Sequence, residues 1–332
     1  MKPRKVKIVG TGTYLPKQLI TSDEMDRRLG VPAGWTHLKS DVKTRHFILN
    51  ETASEMGASA AYAALEDAGL AFADIDCIVC TSGTMQQPIP CTAVLIQKAM
   101  QQENSGVPCF DVNATCLSFV TGLDLISYLI DAGRYRRVLL VATEIASEGI
   151  NFNDKESAAL FGDGAAAVVI EQTAPAESSA ILHAAMETYS SGSEFSEIRA
   201  GGSAQHAKHH TTDNEEDYLF RMNGHAIFRM ASKLLPPFVE QLLLKSQLQI
   251  SDISLVIPHQ GSAMAMKLLR KRLNISEEQL LYTTPIFGNT IAASIPIGLH
   301  EAIRHKQMSR GDRILLLGTS AGLSLGGVIF EY

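Results

Sequence analysis

Phe110-Asp-Val-Asn-Ala-Thr-Cys116-Leu-Ser-Phe-Val-Thr-Gly-Leu-Asp124 reads as a short buried strand, a tight polar turn, and a helix whose first residues are Cys116 and Leu117. A thiol there meets the positive end of the helix dipole, beside backbone N–H groups that have no intrahelical partner. Both features favour the thiolate, which is the reactive form of cysteine. The plainer alternative is a small buried hydrophobe, the usual state of a free cysteine. The stretch alone leaves the two open.

A chain of 332 residues exceeds what one core usually holds, so two domains or a duplicated one are expected. Its 45% hydrophobic content is that of a packed protein, and a net charge of −6 with scattered signs argues against a dedicated nucleic-acid binder. No apolar run reaches the roughly 18 residues that a membrane span needs. Met-Lys-Pro-Arg-Lys leads into a strand signal rather than a signal-peptide core. Five cysteines without framework spacing suggest a reducing, cytoplasmic setting.

Lys5–Val9 reads as a strand, followed by Gly10-Thr-Gly-Thr-Tyr-Leu15-Pro16. This is no dinucleotide loop, because the third glycine is missing and a proline stands where a helix should begin. Thr21-x-x-Glu24 looks like a capping box for a short helix ending at Gly30, and Thr52-x-x-Glu55 opens an alanine-rich helix closed by Gly69. Trp35 through His46 reads as polar and irregular. Asp76–Cys80, Val138–Ala142 and Ala165–Glu171 read as buried strands, and Thr173–Ser179 as a linker. Cys77 and Cys80 form a C-x-x-C, but three residues apart on a strand they point to opposite faces, which suits a core and not a chelate. The Gly/Ser/His-rich stretch Ser190–Asp217 is expected to be an exposed insertion. His206, His209 and His210 lie in it without a carboxylate or thiol at ligand spacing.

The second half repeats the first. Asp74-Ile-Asp-Cys-Ile-Val-Cys-Thr81 resembles Asp252-Ile-Ser-Leu-Val-Ile-Pro-His259. Arg137-Val-Leu-Leu-Val resembles Arg313-Ile-Leu-Leu-Leu, and Gly164-Ala-Ala-Ala-Val-Val-Ile-Glu171 resembles Ser324-Leu-Gly-Gly-Val-Ile-Phe-Glu331. Buried strands look alike, but three matches in the same order indicate a duplication of strand–helix units. The halves are set at 1–172 and 173–332. Cys116 and Asn289, in Phe287-Gly-Asn-Thr-Ile-Ala-Ala, then occupy matching strand-to-helix turns, while His259 closes the strand Leu255–Pro258. Packed halves would bring these turns together at the carboxyl ends of strands, where α/β sheets bind ligands.

With these motifs the chain resembles the β-ketoacyl-acyl carrier protein synthase III family of thiolase-like condensing enzymes, from Lys5 to Tyr332. The resemblance rests on Asp111-Val-Asn-Ala-Thr-Cys116, Phe161-Gly-Asp-Gly-Ala165, Pro258-His-Gln-Gly261, Gly288-Asn-Thr-Ile-Ala-Ala-Ser294 and Gly318-Thr-Ser-Ala-Gly322. It implies a five-layered α-β-α-β-α fold from two pseudo-duplicated halves and a homodimer. It implies decarboxylative condensation of an acyl-CoA primer with malonyl-acyl carrier protein through acyl-Cys116. His259 and Asn289 would stabilise the enolate, and the amides of Cys116 and Ala321 the tetrahedral oxyanion. No metal or organic cofactor is implied.

The resemblance further puts the CoA adenine near Trp35, its phosphates near Lys39, and the pantetheine channel along Phe228 and His225. Ile89 falls near where the partner subunit closes the acyl pocket. The basic run Lys267, Arg270, Lys271 and Arg272 is a candidate docking face for an acidic carrier protein. The chain departs from the family in reading His259-Gln-Gly-Ser262-Ala-Met264, without the usual second asparagine and the arginine that follows. A condensing enzyme of a specialised pathway taking longer primers is an alternative, as is a non-catalytic partner subunit. A degradative thiolase would need a second reactive cysteine near the C-terminus, and the last cysteine here is Cys116.

Overall fold

Apolar strands alternating with helices, read twice along the chain, fold into two sheets of matching topology in the computed structural model, which describes residues 2–332. The first half runs β1 (Val6–Tyr14), β2 (Gln18–Thr21), α1 (Ser22–Leu29), α2 (Trp35–Ser40), β3 (Thr44–Phe47), α3 (Ala53–Ala68) and β4 (Cys77–Cys80). It continues through α4 (Thr92–Ala99), β5 (Cys109–Asp111), α5 (Ser118–Asp131), β6 (Arg137–Glu144), α6 (Lys155–Ala158) and β7 (Gly164–Gln172). The second half runs β8 (Ala180–Thr188), β9 (Ser196–Glu197), β10 (Arg221–Met222), α7 (Gly224–Lys245), β11 (Leu255–Pro258) and α8 (Ala263–Leu273). It closes with α9 (Thr284–Phe287), α10 (Ser294–Arg304), β12 (Arg313–Ser320) and β13 (Ser324–Glu331).

The first sheet has the order β1-β7-β6-β4-β5 and the second β8-β13-β12-β11. Strand by strand, β1, β7, β6 and β4 match β8, β13, β12 and β11, with the same parallel and antiparallel pairings. The counterpart of β5 shrinks to a single parallel bridge between Val256 and Leu280. The three sequence repeats therefore fall on equivalent strands, β4/β11, β6/β12 and β7/β13.

Five layers result. Helices α3 and α4 cover the outer face of the first sheet, and α5 and α10 fill the space between the sheets. Helices α7 and α8 cover the second sheet from outside. A helix buried between two sheets must be apolar around its girth. Phe119, Leu123, Ile126 and Ile130 of α5 are accordingly all buried, each worth about 1.5–3 kcal/mol of transfer free energy. Cys77 faces the middle layer and Cys80 the outer one, as their spacing on β4 requires. Burial pushes their thiols up to about 11 and about 12.

Thr21 caps α1 and Thr52 makes a reciprocal box with Glu55 on α3, while Gly30 and Gly69 close the two helices in left-handed conformation. Three readings need correction. Helix α5 starts at Ser118 with Leu117 as its cap, so Cys116 stands in the turn before the helix and not within it. The segment Trp35–His46 is ordered as α2 and the start of β3, its buried face supplied by Thr36, Ser40, Val42 and Arg45, which few apolar letters announce. Strand β1 continues to Tyr14 through Gly10 and Gly12, where a Cβ would lie 2.3 Å from Ala64 O and 2.4 Å from Ala60 O. Those glycines let the strand press against the backbone of α3; they are packing residues.

Residues 190–217 form short 3-10 helical turns and the strand β9, and are mostly exposed. Among the described residues no cluster could hold a metal ion, and no helix is long and apolar enough to cross a membrane.

Candidate active site

The chain turns sharply after β5. Thr115, at φ +50°, sits in the left-handed region immediately before Cys116, a conformation that costs a threonine of order 1–3 kcal/mol. The turn is held from every side. Asn113 Oδ1 accepts from the Thr115 amide at 2.9 Å, and Ser118 Oγ donates to Thr115 O at 2.7 Å. From the other half, Ser320 at the end of β12 meets Thr115 Oγ1 at 2.6 Å and donates to Ala114 O at 2.8 Å. Burial and the nearby Glu144 carboxyl push the Cys116 thiol up to about 12, against which the amides of Cys116 and Ala321 pull. Those are the two amides expected at the oxyanion position, and both act in favour of the ionised sulfur. Around the half-buried Cys116, burial and the Glu144 carboxyl outweigh the donors and favour the thiol, against the dipole-stabilised thiolate that the sequence suggests.

His259 follows β11, its amide bonded to Leu317 O at 2.8 Å. The ring is buried, which lowers its pKa to about 4, so it is neutral at physiological pH. Nδ1 lies 2.8 Å from Ser294 Oγ, which donates to Ile291 O at 2.9 Å. Ser294 carries one proton. Given to Ile291 O, that proton leaves Nδ1–H as the donor to Ser294 Oγ; turned toward Nδ1 instead, it puts the ring proton on Nε2, the tautomer in which Nε2 donates.

Asn289 sits between α9 and α10, paired through its backbone with the Phe161 strand end: its amide donates to Leu160 O at 2.8 Å and its carbonyl accepts from Gly162 at 3.1 Å. Its Oδ1 accepts from the Ile291 amide at 2.9 Å, and Nδ2 faces Gly261 O at 3.4 Å. The buried Arg45 supports this pairing, donating to Ala159 O at 2.7 Å and Phe161 O at 3.3 Å. Asp163 of the Phe161-Gly-Asp-Gly motif is scaffold: its buried carboxylate accepts from the Ile48 and Ser147 amides and from Ser147 Oγ.

The three segments converge. A Cβ on Gly318 would fall 2.9 Å from His259 Cβ and 3.1 Å from Leu117 Cδ2, so the His259 and Cys116 segments meet across β12. A Cβ on Gly83 would fall 2.8 Å from Ile291 Cγ2 and 3.2 Å from the Thr115 backbone, so the Cys116 and Asn289 turns meet at Gly83. Gln260 ties the remaining pair. Its Oε1 accepts from the amides of Thr283 and Thr284 and from Thr284 Oγ1, and its Nε2 donates to Pro258 O and Leu281 O.

The residues read as binding positions lie farther out. Trp35 is half-buried at the start of α2, and Lys39 is exposed, its Nζ 5.9 Å from the indole centre and 3.7 Å from Glu156. Phe228 and His225 are exposed near the start of α7, and Ile89 is exposed on the loop between β4 and α4. On α8, Lys267 and Lys271 are exposed, while Arg270 is ion-paired with Glu277. Sequence reading missed Glu144 and passed over Gln260 and Ser294. Each is a polar residue at the end of an apolar strand or the start of an apolar helix, and only that placement marked it.

Comparison with known proteins bears on the whole chain. The family model for 3-oxoacyl-[acyl-carrier-protein] synthase III matches residues 110–190, and that for its C-terminal part matches residues 243–332. The β-ketoacyl-[acyl-carrier-protein] synthase III of Aquifex aeolicus is 33% identical over 326 residues, covering 98% of this chain and 99% of that protein. The crystal structure of the Aquifex aeolicus 3-oxoacyl-[acyl-carrier-protein] synthase III superposes with a TM-score of 0.88 over 98% of this chain and 100% of its own. That of the corresponding Pseudomonas aeruginosa protein, 28% identical, gives 0.89 over 99% and 98%.

Proposed function

Because the chain belongs to the β-ketoacyl-[acyl-carrier-protein] synthase III family, we propose that it condenses an acyl-CoA primer with malonyl-acyl carrier protein, starting a fatty acid, with Cys116, His259 and Asn289 as its catalytic residues. The observation that carries this reading is the convergence of the three turns.

In the first half-reaction the Cys116 sulfur bonds to the primer carbonyl carbon and the carbon–sulfur bond to CoA breaks. The thiol proton leaves with the CoA sulfur, so the exchange is neutral overall. The tetrahedral oxygen rests on the amides of Cys116 and Ala321, fixed donors that need no reorganisation. In the second, the malonyl thioester loses carbon dioxide, and its enolate oxygen takes hydrogen bonds from His259 Nε2–H and Asn289 Nδ2. Both donors are neutral and enclosed, which suits a charge that exists only in the transition state and intermediate. The new carbon–carbon bond forms at the acyl carbon, and the released Cys116 sulfur regains a proton. The steps balance with thioesters alone, without metal or organic cofactor.

Trp35 and Lys39 suit the adenine and phosphates of CoA, with Phe228 and His225 along the pantetheine arm and the basic face of α8 turned to the carrier protein. A homodimer fits the unpaired edge of β5 and the exposed apolar stripe Leu125, Tyr128 and Leu129 on α5, where Ile89 would reach the partner's acyl pocket. The five free cysteines suit a reducing cytoplasm.

The test is a labelled half-reaction. With radiolabelled acyl-CoAs of increasing length, label should stay on the protein and vanish in Cys116→Ala, and malonyl-acyl carrier protein should then release it as product. Condensation that survives Cys116→Ala would overturn the proposal; the chain length giving most product identifies the primer.

A further inference from the structure

Glu144 ends β6 wholly buried, and among the described residues no cation lies within ion-pair distance of it. Its Oε1 accepts from the Gly83 amide at 2.5 Å, and its Oε2 accepts from the Thr84 amide at 3.1 Å and Thr84 Oγ1 at 2.6 Å. The segment it grips is the one on which the two reactive turns meet: a Cβ on Gly83 would meet both the Thr115 backbone and Ile291. Asn113, three residues before Cys116, donates to Gly83 O at 3.4 Å. We propose that Glu144 is a positioning residue for the reaction, its carboxylate holding the Gly83–Thr84 segment between the Cys116 turn and the Asn289 turn.

Hydrogen bonding alone does not call for a carboxylate here. In the second half Gln260 accepts from the same trio, two amides and a threonine hydroxyl, without a charge. Glu144 adds what an amide lacks, a negative field on its neighbours. The titratable groups that feel it are Cys116 and Cys80, both disfavoured as thiolates by it, and the Ala292 amide of the Asn289 turn partly compensates it. The residue therefore fixes the geometry of the turns, and its charge adds to the burial that already disfavours the Cys116 thiolate. The inference rests on reading Cys116 as the nucleophile, so its test probes the cysteine apart from turnover.

The experiment compares wild type with Glu144→Gln by iodoacetamide alkylation of Cys116, read by peptide mass from pH 6 to 10, alongside kcat and KM for condensation. Without the charge, alkylation at pH 8 should rise about threefold or more, since one unit of pKa is tenfold in thiolate at fixed pH. At the same time kcat should fall about tenfold, because the amide nitrogen now faces a backbone N–H, and KM for acyl-CoA should change less than about twofold. An alkylation profile and kcat both equal to wild type would overturn the proposal. Thr84→Val guards against misfolding of the first variant: it loosens the grip and leaves the charge, so kcat should fall about threefold with the alkylation profile unmoved. An unchanged kcat in Thr84→Val would equally count against it. Alkylation reports on Cys116 even if the condensation reading fails, which keeps the two questions apart.

Discussion

The first half of the molecule and the second are built on one strand order, yet they treat charge in opposite ways. In the first, a buried carboxyl sits near the sulfur and the thiol is driven up to about 12. In the second, an imidazole driven down to about 4 and two carboxamides, Gln260 and Asn289, leave the site without a formal charge. Both treatments come from burial, which penalises whichever form is ionised. The difference matches the two tasks: the nucleophile must hold its proton until attack, while the donors must stay neutral to receive an enolate. A duplicated scaffold thus supplies equivalent turns, and a few polar letters at strand ends divide the chemistry.

The sharpest way to break that division is to remove the second half's donor and ask whether the first half still works. In His259→Ala, acylation of Cys116 should persist, while decarboxylation of the malonyl thioester should fall about 10²–10³-fold, the usual cost of one preorganised donor. Rapid-quench measurement of each half-reaction separates them. Loss of acylation with decarboxylation intact would show that the roles are not divided as proposed.

Much of this division was legible in the sequence. The strand repeats, both threonine caps and the equivalent placement of Cys116 and Asn289 depend on local periodicity and turn residues, which a sequence displays directly. What it hid are the effects that need the third dimension. The helix boundary slipped past Cys116 because Thr115 adopts a left-handed conformation that nothing in Ala-Thr-Cys announces. The glycines of β1 resembled a loop because the close approach of α3 that they permit comes from residues about 50 positions away. Glu144 lay two residues past the expected strand Val138–Ala142, because a strand-end glutamate reveals its burial only when its partners at Gly83 and Thr84 are seen.

A second test sharpens the electrostatic contrast through stability. Folding raises the Glu144 carboxyl from its ordinary 4.5 to about 7, so its contribution is lost as pH climbs through that window. Folding lowers His259 from 6.5 to about 4, so its contribution is lost as pH falls through that window. Each effect is on the order of 3 kcal/mol at most, and between about pH 4.5 and 6.5 the two slopes oppose one another. Glu144→Gln removes the first slope only. Relative to wild type, its denaturation midpoint should therefore climb between pH 4.5 and 7, read as the difference between two urea or thermal series. Two parallel curves would mean that burial does not raise the Glu144 carboxyl.

The smallest effect concerns the surface, where the halves also differ. Helix α4 carries one charge, Lys98, whereas its counterpart α8 carries Lys267, Arg270, Lys271 and Arg272. Arg270 is engaged with Glu277, which leaves Lys267 and Lys271 as the exposed amines of that face. Exposed charges contribute little to stability, so nothing in the fold requires this asymmetry. They do steer an acidic partner, and that steering fades with salt. The double variant Lys267→Ala, Lys271→Ala should raise KM for malonyl-acyl carrier protein about three- to fivefold at low ionic strength, with little difference left in 0.5 M salt, about one Debye length of 4 Å. Acylation by acyl-CoA should be untouched, because the residues proposed for CoA, Trp35 and Lys39, belong to α2 and not to this face. An equal loss with both substrates, or none with either, would make α8 an ordinary solvated helix and confine the contrast between the halves to the buried site.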